Sequence, residues 1–343
     1  MKPIHSFRAA HLKPYTDFLF GIGAPVEAAL RRAKLPTMLH EQPDAYLPQL
    51  AAINFLRDMS RNEGIEEFGV RVLQGLRVRD FSTDFATAVR RLPTLKTTLE
   101  KFRDLVHVED NQLNFWITAR GTIVRLHTAS SCSLDPEDME YEDWNEIMAI
   151  IAIVREFAGQ AWVPEEIGFR SNIHAGPFAS EQFPATRFFN NQHSSWITVP
   201  YEFLSRPPRK PKIQMDAGHA TDLETATYTE STMEFPASLK RVLIPYLEDG
   251  YPPIQLAAEI AGLSVRTLQR RLRQYNTNYS ELIQHTRFDV ASGLLQNTDE
   301  KIINIAYQLG YITLDQMAAL ATDMLKNQYG QYIADFVAEE KLK

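Results

Sequence analysis

Residues 252–272 read PPIQLAAEIAGLSVRTLQRRL, and this stretch decides the fold predicted for the second half of the 343-residue chain. Pro252 and Pro253 are typical of the start of a helix, where a missing N–H costs nothing. Gly262 permits a tight turn, and Ser264 can cap the amino end of a following helix. The stretch therefore predicts two short helices joined by a turn.

The second helix of this pair is predicted to be amphipathic. A 3.6-residue period places Val265, Leu268 and Leu272 toward a core. Four of the eight residues from 266 to 273 are arginines. Arginine on the outer face of a capped helix suits major-groove reading, because its guanidinium group reaches guanine O6 and N7. The residues of this helix predicted to contact bases or phosphates are Arg266, Thr267, Arg270, Arg271 and Arg273.

Charge does not mark the whole molecule as a DNA binder. The chain has 43 acidic and 36 basic residues, a formal charge of −7, and its last 108 residues hold 11 basic and 12 acidic ones. Any attraction for nucleic acid must therefore be local. A single cysteine, Cys132, excludes an internal disulfide, and with no signal peptide it predicts a reducing cytoplasm. No apolar run of about 18 residues predicts a membrane span.

A change of composition after residue 205 indicates two domains. Residues 206–212 read RPPRKPK, and the polar, threonine-rich stretch that follows predicts a linker over 206–235. The basic run could touch phosphate, but a solvated tether is the favoured interpretation. The predicted domains are an α+β domain at 1–205 and an all-α domain at 236–343.

The first domain is predicted to lead with helices into a small sheet. Helical patterns cover 25–35, 47–63, 81–92 and 95–105, a β-hairpin covers 113–118 and 122–128, and short strands cover 166–173, 186–189 and 196–199. A buried helix is expected at 144–157. The preceding DPEDMEYEDWNE, residues 135–146, lacks the spacing of a calcium loop, and the dipole at the start of that helix explains its acids.

Three segments together resemble the DNA-binding domain of the AraC/XylS family of bacterial transcription regulators. They are residues 252–272, RFDVASGLL at 287–295 and IINIAYQLGY at 302–311. The resemblance implies two helix-turn-helix units joined by a long helix, which would run from Asn278 or Ser280 to Leu295. The second unit would cover 302–310 and a helix at 314–325 capped by Thr313.

The same resemblance implies which residues read bases. In the first unit they are Arg266, Gln269 and Arg270, each able to reach a base edge. In the second unit the corresponding positions are Asp315, Ala318 and Ala319, with Gln316 beside them as a further predicted contact. An acid repels phosphate and alanine donates no hydrogen bond, so the first unit is expected to supply most of the specificity.

The first domain resembles the arabinose-binding-type N-terminal domain of one branch of that family. The matching pieces are PVEAALRRAKLP from residue 25, QAWVPEEIGF at 160–169 and the segment at 183–208. This implies sensing and dimerisation, without fixing the effector. Aromatic and polar residues on strands often line a ligand pocket, although core packing is the commoner role of strand aromatics. The residues predicted to contact a ligand are Trp116, His127, Phe169, Phe189, Asn191, His193 and Trp196.

The predicted function is therefore a ligand-responsive, sequence-specific transcription regulator. Its predicted partners are double-stranded DNA, RNA polymerase, a small-molecule effector and a second copy of the chain. No cofactor, metal site or catalytic residue is predicted, because the nine histidines form no H-x-x-x-H pair and no G-x-S-x-G elbow frames residues 130–133. Two alternatives remain: an interaction module with a degenerate second helix-turn-helix that binds DNA weakly, and a first domain that performs chemistry on its small molecule.

Overall fold

The computed structural model describes residues 3–37, 39, 42–131, 134–172, 175–209, 234–247 and 251–341. The chain divides into two compact units, one formed by His5–Met233 and one by Met1–Ile4 with Glu234–Lys343. Most of the predicted linker, from 210 to 233, lies outside the described residues, as do Cys132 and Ser133.

The first unit is α+β, as predicted. Its helices are α1 (Lys13–Gly21), α2 (Val26–Arg32), α3 (Gln49–Asn62), α4 (Phe68–Leu73), α5 (Thr83–Arg90), α6 (Leu95–Glu109), α7 (Pro136–Ala158) and α8 (Pro177–Gln182). Its strands are β1 (Ser6–Arg8), β2 (Tyr46–Pro48), β3 (Leu113–Arg120), β4 (Ile123–Ser130), β5 (Glu166–Gly168), β6 (Arg187–Phe189) and β7 (Ser195–Pro200). β1 pairs with β2, and the other strands form a sheet in the order β3-β4-β7-β5-β6.

The predicted hairpin forms and places alternate residues on opposite faces of the five-stranded sheet. β3 and β4 pair from Leu113↔Ser130 to Arg120↔Ile123, and Gly121 makes the turn at a φ of 62°. On the inner face, Val124, Leu126 and Ile197 are buried in the same core as the apolar part of α7. The opposite residues of each strand point away from that core.

Helix α7 differs from the prediction because it begins at Pro136 rather than near Trp144. The acidic stretch is therefore the first half of the helix and not a segment ahead of it. The reason is long-range pairing: the Arg57 guanidinium binds both carboxylate oxygens of Asp138 at 2.8 Å, and Arg170 binds further acids of α7. Helix formation aligns these acids with their partners.

Two other predicted elements are shorter in the structure. The helix expected from residue 47 begins at Gln49, because Tyr46–Pro48 pairs with β1 instead. The strand expected over 166–173 ends at Gly168, since the Ser171 N–H turns to donate to Asp143 Oδ2 at 2.8 Å. Residues 173 and 174 lie outside the described part of the chain.

The second unit is helical throughout its described residues. Its helices are α9 (Phe235–Leu243), α10 (Ile254–Ile260), α11 (Val265–Arg273), α12 (Tyr279–Asn297), α13 (Ile302–Gln308), α14 (Leu314–Met324) and α15 (Gln328–Glu340). Phe235, Leu239, Leu268 and Leu272 are buried among the first helices, whereas Met317, Ala321, Ile333 and Val337 form a separate core between α14 and α15. Among the described residues, no helix combines the length and apolarity needed to span a bilayer.

Local capping explains where these helices begin. The Ser264 hydroxyl accepts a hydrogen bond from the Thr267 N–H at 3.2 Å, as predicted for α11. Gly262 turns the chain before it with a φ of 63°. Thr313 likewise accepts from the Gln316 N–H at 3.2 Å to start α14, and Asn278 caps α12.

Candidate nucleic-acid interface and candidate ligand cavity

Helix α11 presents a basic face to solvent. Leu268 and Leu272 are 0% exposed and hold one side of the helix in the core. At about 100° of rotation per residue, the side chains of the opposite face span an arc of about 100°. These side chains are all exposed: Arg266, Gln269, Arg270 and Arg273. A duplex approaching this side would meet three guanidinium groups and one amide.

The basic face has the chemistry needed for DNA. Within the described residues, the arginines of this face have no acidic partner that would compete with phosphate. Gln269 and Arg273 also line a groove of about 370 Å³ with Tyr251 and Ser280. Arginine can grip phosphate or read guanine, and glutamine can pair with adenine. The face is thus able both to hold a duplex and to distinguish its bases.

The structure gives two other predicted residues of α11 different surroundings. Arg271 is half-buried, and its guanidinium carbon lies 5.3 Å from the centre of the Phe235 ring. That contact directs it toward α9, about 100° away from Arg270 around the helix. The Thr267 hydroxyl lies 2.9 Å from the Ser264 hydroxyl at the cap. Both positions remain predictions for DNA contact.

Helix α14 carries a different surface. Asp315 and Ala319 are exposed, and Ala318 is half-buried. Gln316 is engaged at the cap, where its Oε1 accepts a hydrogen bond from the Thr313 N–H at 2.8 Å. The exposed part of this helix lacks the guanidinium groups of α11. Its predicted contacts, Asp315 and Gln316, stay predictions.

Four of the seven predicted ligand contacts lie together on the outer face of the sheet. His127 pairs in register with Trp116 on β3 and with Trp196 on β7, and Trp196 lies beside Phe189 of β6. The Trp116 and His127 rings stack at 5.1 Å, and the Trp196 and Phe189 rings are 5.5 Å apart. Arg125 covers Trp196 at 3.9 Å. The aromatic row is continuous but faces away from the core.

Histidine 127 is held in place within this row. Its Nδ1 lies 3.0 Å from the Ser194 hydroxyl and its Nε2 lies 2.8 Å from the Thr118 hydroxyl. Burial lowers the pKa of His127, and the charge of Arg125 lowers it further. The imidazole is therefore favoured in its neutral form.

The other three predicted ligand contacts are dispersed. Phe169 is completely buried, with its ring 4.8 Å from Trp144 and 6.1 Å from Phe188. Asn191 is exposed in a turn at a φ of 55°, and His193 is exposed nearby. The structure therefore does not bring all seven residues to one site.

A cavity of about 80 Å³ lies in the first unit, among α3, α5, α6 and α7. None of the seven predicted residues lines it. A single water needs about 10–15 Å³ on this measure, so the space suits a molecule of several heavy atoms. Its apolar walls come from Ile53, Leu56, Phe81, Phe85 and Phe102, and its polar lining includes Gln49, Glu109, Asp110, Glu142 and Glu146.

Acids on the α7 side of the cavity are hydrogen-bonded to one arginine whose side chain is only 9% exposed. Arg170 donates to Glu142 at 2.9 Å, to Asp143 at 2.9 Å and to Glu146 at 3.0 Å. Burial lowers the pKa of Arg170, but the three carboxylates outweigh that effect and raise it, so the guanidinium stays charged. A single guanidinium charge therefore stabilises three acidic side chains.

Burial raises the pKa of two carboxyl groups of α7, those of Glu142 and Glu146. Burial raises the pKa of Glu146 well above its ordinary value, with Arg170 acting in the opposite direction and the nearby Glu142 adding to the rise. Burial also raises the pKa of Glu142 against the pull of Arg170. Two acceptor oxygens, Glu146 Oε2 and Gln49 Oε1, are buried, and no described residue donates a hydrogen bond to either. The other polar atom of the Gln49 amide donates to Glu142.

The end of α6 supplies two acids that are paired with histidines. Glu109 accepts from His11 at 2.9 Å and from the Ser82 hydroxyl. Burial raises the pKa of Glu109, but His11 and Ser82 outweigh it and hold the pKa below its ordinary value. Asp110 behaves similarly: burial raises its pKa, but His5, at 2.9 Å, holds it low.

Three of these side chains bring metal-type ligand atoms together. Atoms of His5, Asp110 and Glu142 lie within 4.8 Å of one another. His5 and Asp110 are already bonded to each other, however, and Glu142 is bonded to Arg170 and Gln49. These three residues therefore belong to an ion-pair network, and their present hydrogen bonds would have to break before they could bind a metal ion.

Sequence reasoning missed this cavity because its lining comes from separate elements. One signal was present: Glu142 and Glu146 are four residues apart and precede the apolar run at 147–154. In a helix that spacing puts both acids on one face. A continuous helix through 136–158 would have made them neighbours of the core.

Two family models match the chain. Residues 23–208 match the arabinose-binding domain of AraC transcription regulator, N-terminal, and residues 257–334 match a helix-turn-helix domain. No curated protein matches significantly. Among solved structures, the chain is similar to the crystal structure of transcriptional regulator CdpR from Pseudomonas aeruginosa, at 18% identity over 84% of this chain and 90% of that chain, with a TM-score of 0.39. The first family match includes the cavity-lining helices α3, α5, α6 and α7, and the second includes α11 and α14.

Proposed function

This chain belongs to the AraC family of transcription regulators, and from that premise we propose that a small effector bound in the cavity controls sequence-specific DNA binding by α11. The family combines an N-terminal ligand-binding domain with a C-terminal helix-turn-helix DNA-binding domain and is not a family of enzymes. In this proposal residues 1–205 sense the effector, 206–235 connect, and 236–343 bind double-stranded DNA.

The exposed arginine face of α11 carries the DNA part of the proposal. Its residues belong to a capped second helix that follows a glycine turn, the arrangement that places a helix in the major groove. Arg266 and Arg270 lie one helical turn apart, so both can reach the same side of a duplex. We assign base reading to these two and to Gln269, and phosphate contact to Arg273.

Helix α14 has a supporting role in the proposal. An exposed acid, Asp315, and small side chains at 318 and 319 favour positioning of the domain over base reading. The weak overall charge of the second half of the chain fits this division, since non-specific attraction would be modest. RNA polymerase and a second copy of the chain are the further partners in the proposal.

The cavity among α3, α5, α6 and α7 supports the sensing part of the proposal. It combines aromatic walls with a few buried polar groups, which is the usual make-up of a small-ligand site. An effector bound there can act as a switch only if it binds the two DNA-binding states with different affinity. Ligand contact by the outer-face residues of the sheet stays a separate prediction.

The test of this function is selection of bound fragments from a random duplex library by the purified full-length chain. An Arg266→Ala, Arg270→Ala double variant is run in parallel, with Arg103→Ala, an exposed arginine of α6, as the matched control. We expect an enriched motif for the wild type and the control and none for the double variant. Equal enrichment by the double variant would contradict base reading by α11.

A further inference from the structure

We infer that the cavity among α3, α5, α6 and α7 binds a small organic cation, an amine with an apolar body. This inference rests on the proposed function, in which the same cavity holds the effector. It goes further by naming the chemical class of that effector. Charge, unpartnered acceptors and apolar walls support it independently.

The charge balance around the cavity favours a cation. Five buried or nearly buried carboxyl groups belong to the network, and their partners are one guanidinium and two imidazoles. The carboxyl groups are those of Glu109, Asp110, Glu142, Asp143 and Glu146. With Glu146 neutral and both imidazoles charged, four carboxylates remain against three positive charges. A cation is attracted by these carboxylates, whereas an anion would be repelled by them.

Two unpartnered oxygens indicate where a donor would bind. Glu146 is 4% exposed and Gln49 is 5% exposed, so neither side chain is satisfied by bulk water. Within the described part of the chain, no donor forms a hydrogen bond to Glu146 Oε2 or Gln49 Oε1, and both residues line the cavity. Buried polar atoms are rarely left in this state. An ammonium group supplies three donors and no acceptor, and it therefore suits this pair.

The environment of Glu146 lets it respond to such a ligand. Burial raises the pKa of Glu146 and so favours its neutral form, and the neighbouring carboxyl groups act in the same direction, against the pull of Arg170. An ammonium group beside it would favour the ionised form instead. As the cation enters, Glu146 releases its proton to solvent, and the resulting carboxylate pairs with the ammonium group.

The apolar walls and the volume limit the rest of the ligand. Phe81, Phe85 and Phe102 pack edge to face, with centroid distances of 5.2 and 5.6 Å. Such walls accept an aliphatic chain or a single ring, and aromatic faces also attract cations. The 80 Å³ volume corresponds to about five to eight water-sized positions. Benzylamine, with a single ring and one ammonium group, is a suitable probe.

The first experiment compares three probes of similar shape and different charge. Isothermal titration calorimetry of the full-length chain is carried out with benzylamine, benzyl alcohol and benzoate. We expect benzylamine to bind at least ten times more tightly than benzyl alcohol, and benzoate not to bind. Binding of benzyl alcohol or benzoate as tightly as benzylamine would overturn the cation inference, although the cavity would still be a ligand site. The inference would also be overturned if none of the three probes bound and arabinose did.

The second experiment tests the assigned residues. Glu146→Gln resembles the neutral carboxyl group of Glu146, so the fold should be retained, but the side chain cannot ionise. We expect it to weaken benzylamine binding at least tenfold, and Glu63→Gln, an exposed acid beyond α3, to leave binding unchanged. Unchanged benzylamine affinity in Glu146→Gln would overturn the assignment.

A cavity-filling variant separates failure of the inference from failure of the proposed function. Ala52 lines the cavity and is 2% exposed, so Ala52→Leu should fill part of the space. We expect it to remove benzylamine binding, with folding checked by thermal unfolding. Benzylamine binding that survives this change would place the ligand elsewhere and overturn the inference. Motif enrichment in the DNA selection tests the regulator function independently of any amine.

Discussion

Substitution of two adjacent arginines, Arg270 and Arg271, should affect different properties, DNA affinity in the first case and stability in the second. Arg270 is exposed on the basic face of α11, so Arg270→Ala should cost about 1–3 kcal/mol of specific binding, the usual value of a bidentate base contact. That is a loss of about 5- to 140-fold in affinity. Its free energy of unfolding should change by less than about 0.5 kcal/mol, because an exposed side chain is removed.

Arg271→Ala is the matched control from the same helix. Its guanidinium lies 5.3 Å from the Phe235 ring, and removal of such a cation–π contact should lower the free energy of unfolding by about 0.5–1 kcal/mol. The loss of specific DNA affinity should be smaller than in Arg270→Ala, because the side chain is directed toward α9. The larger loss of affinity is therefore expected in Arg270→Ala and the larger loss of stability in Arg271→Ala.

Fluorescence anisotropy with the selected duplex and urea unfolding measure the two effects. The anisotropy titrations are repeated over a salt series and with a duplex altered at single base pairs. Arg270→Ala should lose its preference at one base position. If it instead weakened all duplexes equally, with a salt slope reduced by about 0.9, Arg270 would be a phosphate contact. Equal loss of affinity in both variants would refute the orientation of α11.

Three further outcomes follow from the geometry. Ala319→Arg adds a cation to the exposed side of α14 and should steepen the salt dependence of DNA binding by about 0.9; an unchanged slope would mean that this side does not face phosphate. The pKa of Glu109 is held low in the folded state by His11. The stabilisation of the fold by Glu109 is therefore complete above about pH 4.3 and is lost as the pH falls through the lowered pKa. Glu109→Gln should make the free energy of unfolding in urea fall less steeply at acid pH, and an equally steep fall would refute this prediction. A Cβ at Gly168 would lie 2.3 Å from the buried Trp196 ring, so Gly168→Ala should lower the free energy of unfolding by about 1–3 kcal/mol. An unchanged midpoint of urea unfolding would mean that the ring can move aside without cost.

The second unit was predictable from sequence because its signals are local. Ser264 and Thr313 cap their helices through residues three positions later, and Gly262 supplies the positive φ of the turn between α10 and α11. A cap, a turn and a 3.6-residue period are all contained within about 20 residues. What this pattern did not reveal was that Arg271 packs against Phe235, which is 36 positions earlier in the sequence.

The first unit was predictable as a fold class but not as a site. The hairpin could be located from alternation, whereas the start of α7 depends on ion pairs to Arg57 and Arg170, both distant in sequence. The aromatic residues chosen from the strands are prominent in sequence. Strand register then places four of them on the outer face, and the cavity is lined instead by helical residues that come together only in the fold.

The central claim is that the basic face of α11 enters the groove of a specific DNA site. The most direct measurement is photocrosslinking from a benzophenone amino acid placed at Gln269, using the selected duplex and the full-length chain. We predict crosslinks confined to bases at one position of each bound site, and none when the probe is placed at Leu325, an exposed residue just beyond α14. Absence of crosslinks from position 269, or an even spread along the duplex, would contradict the account.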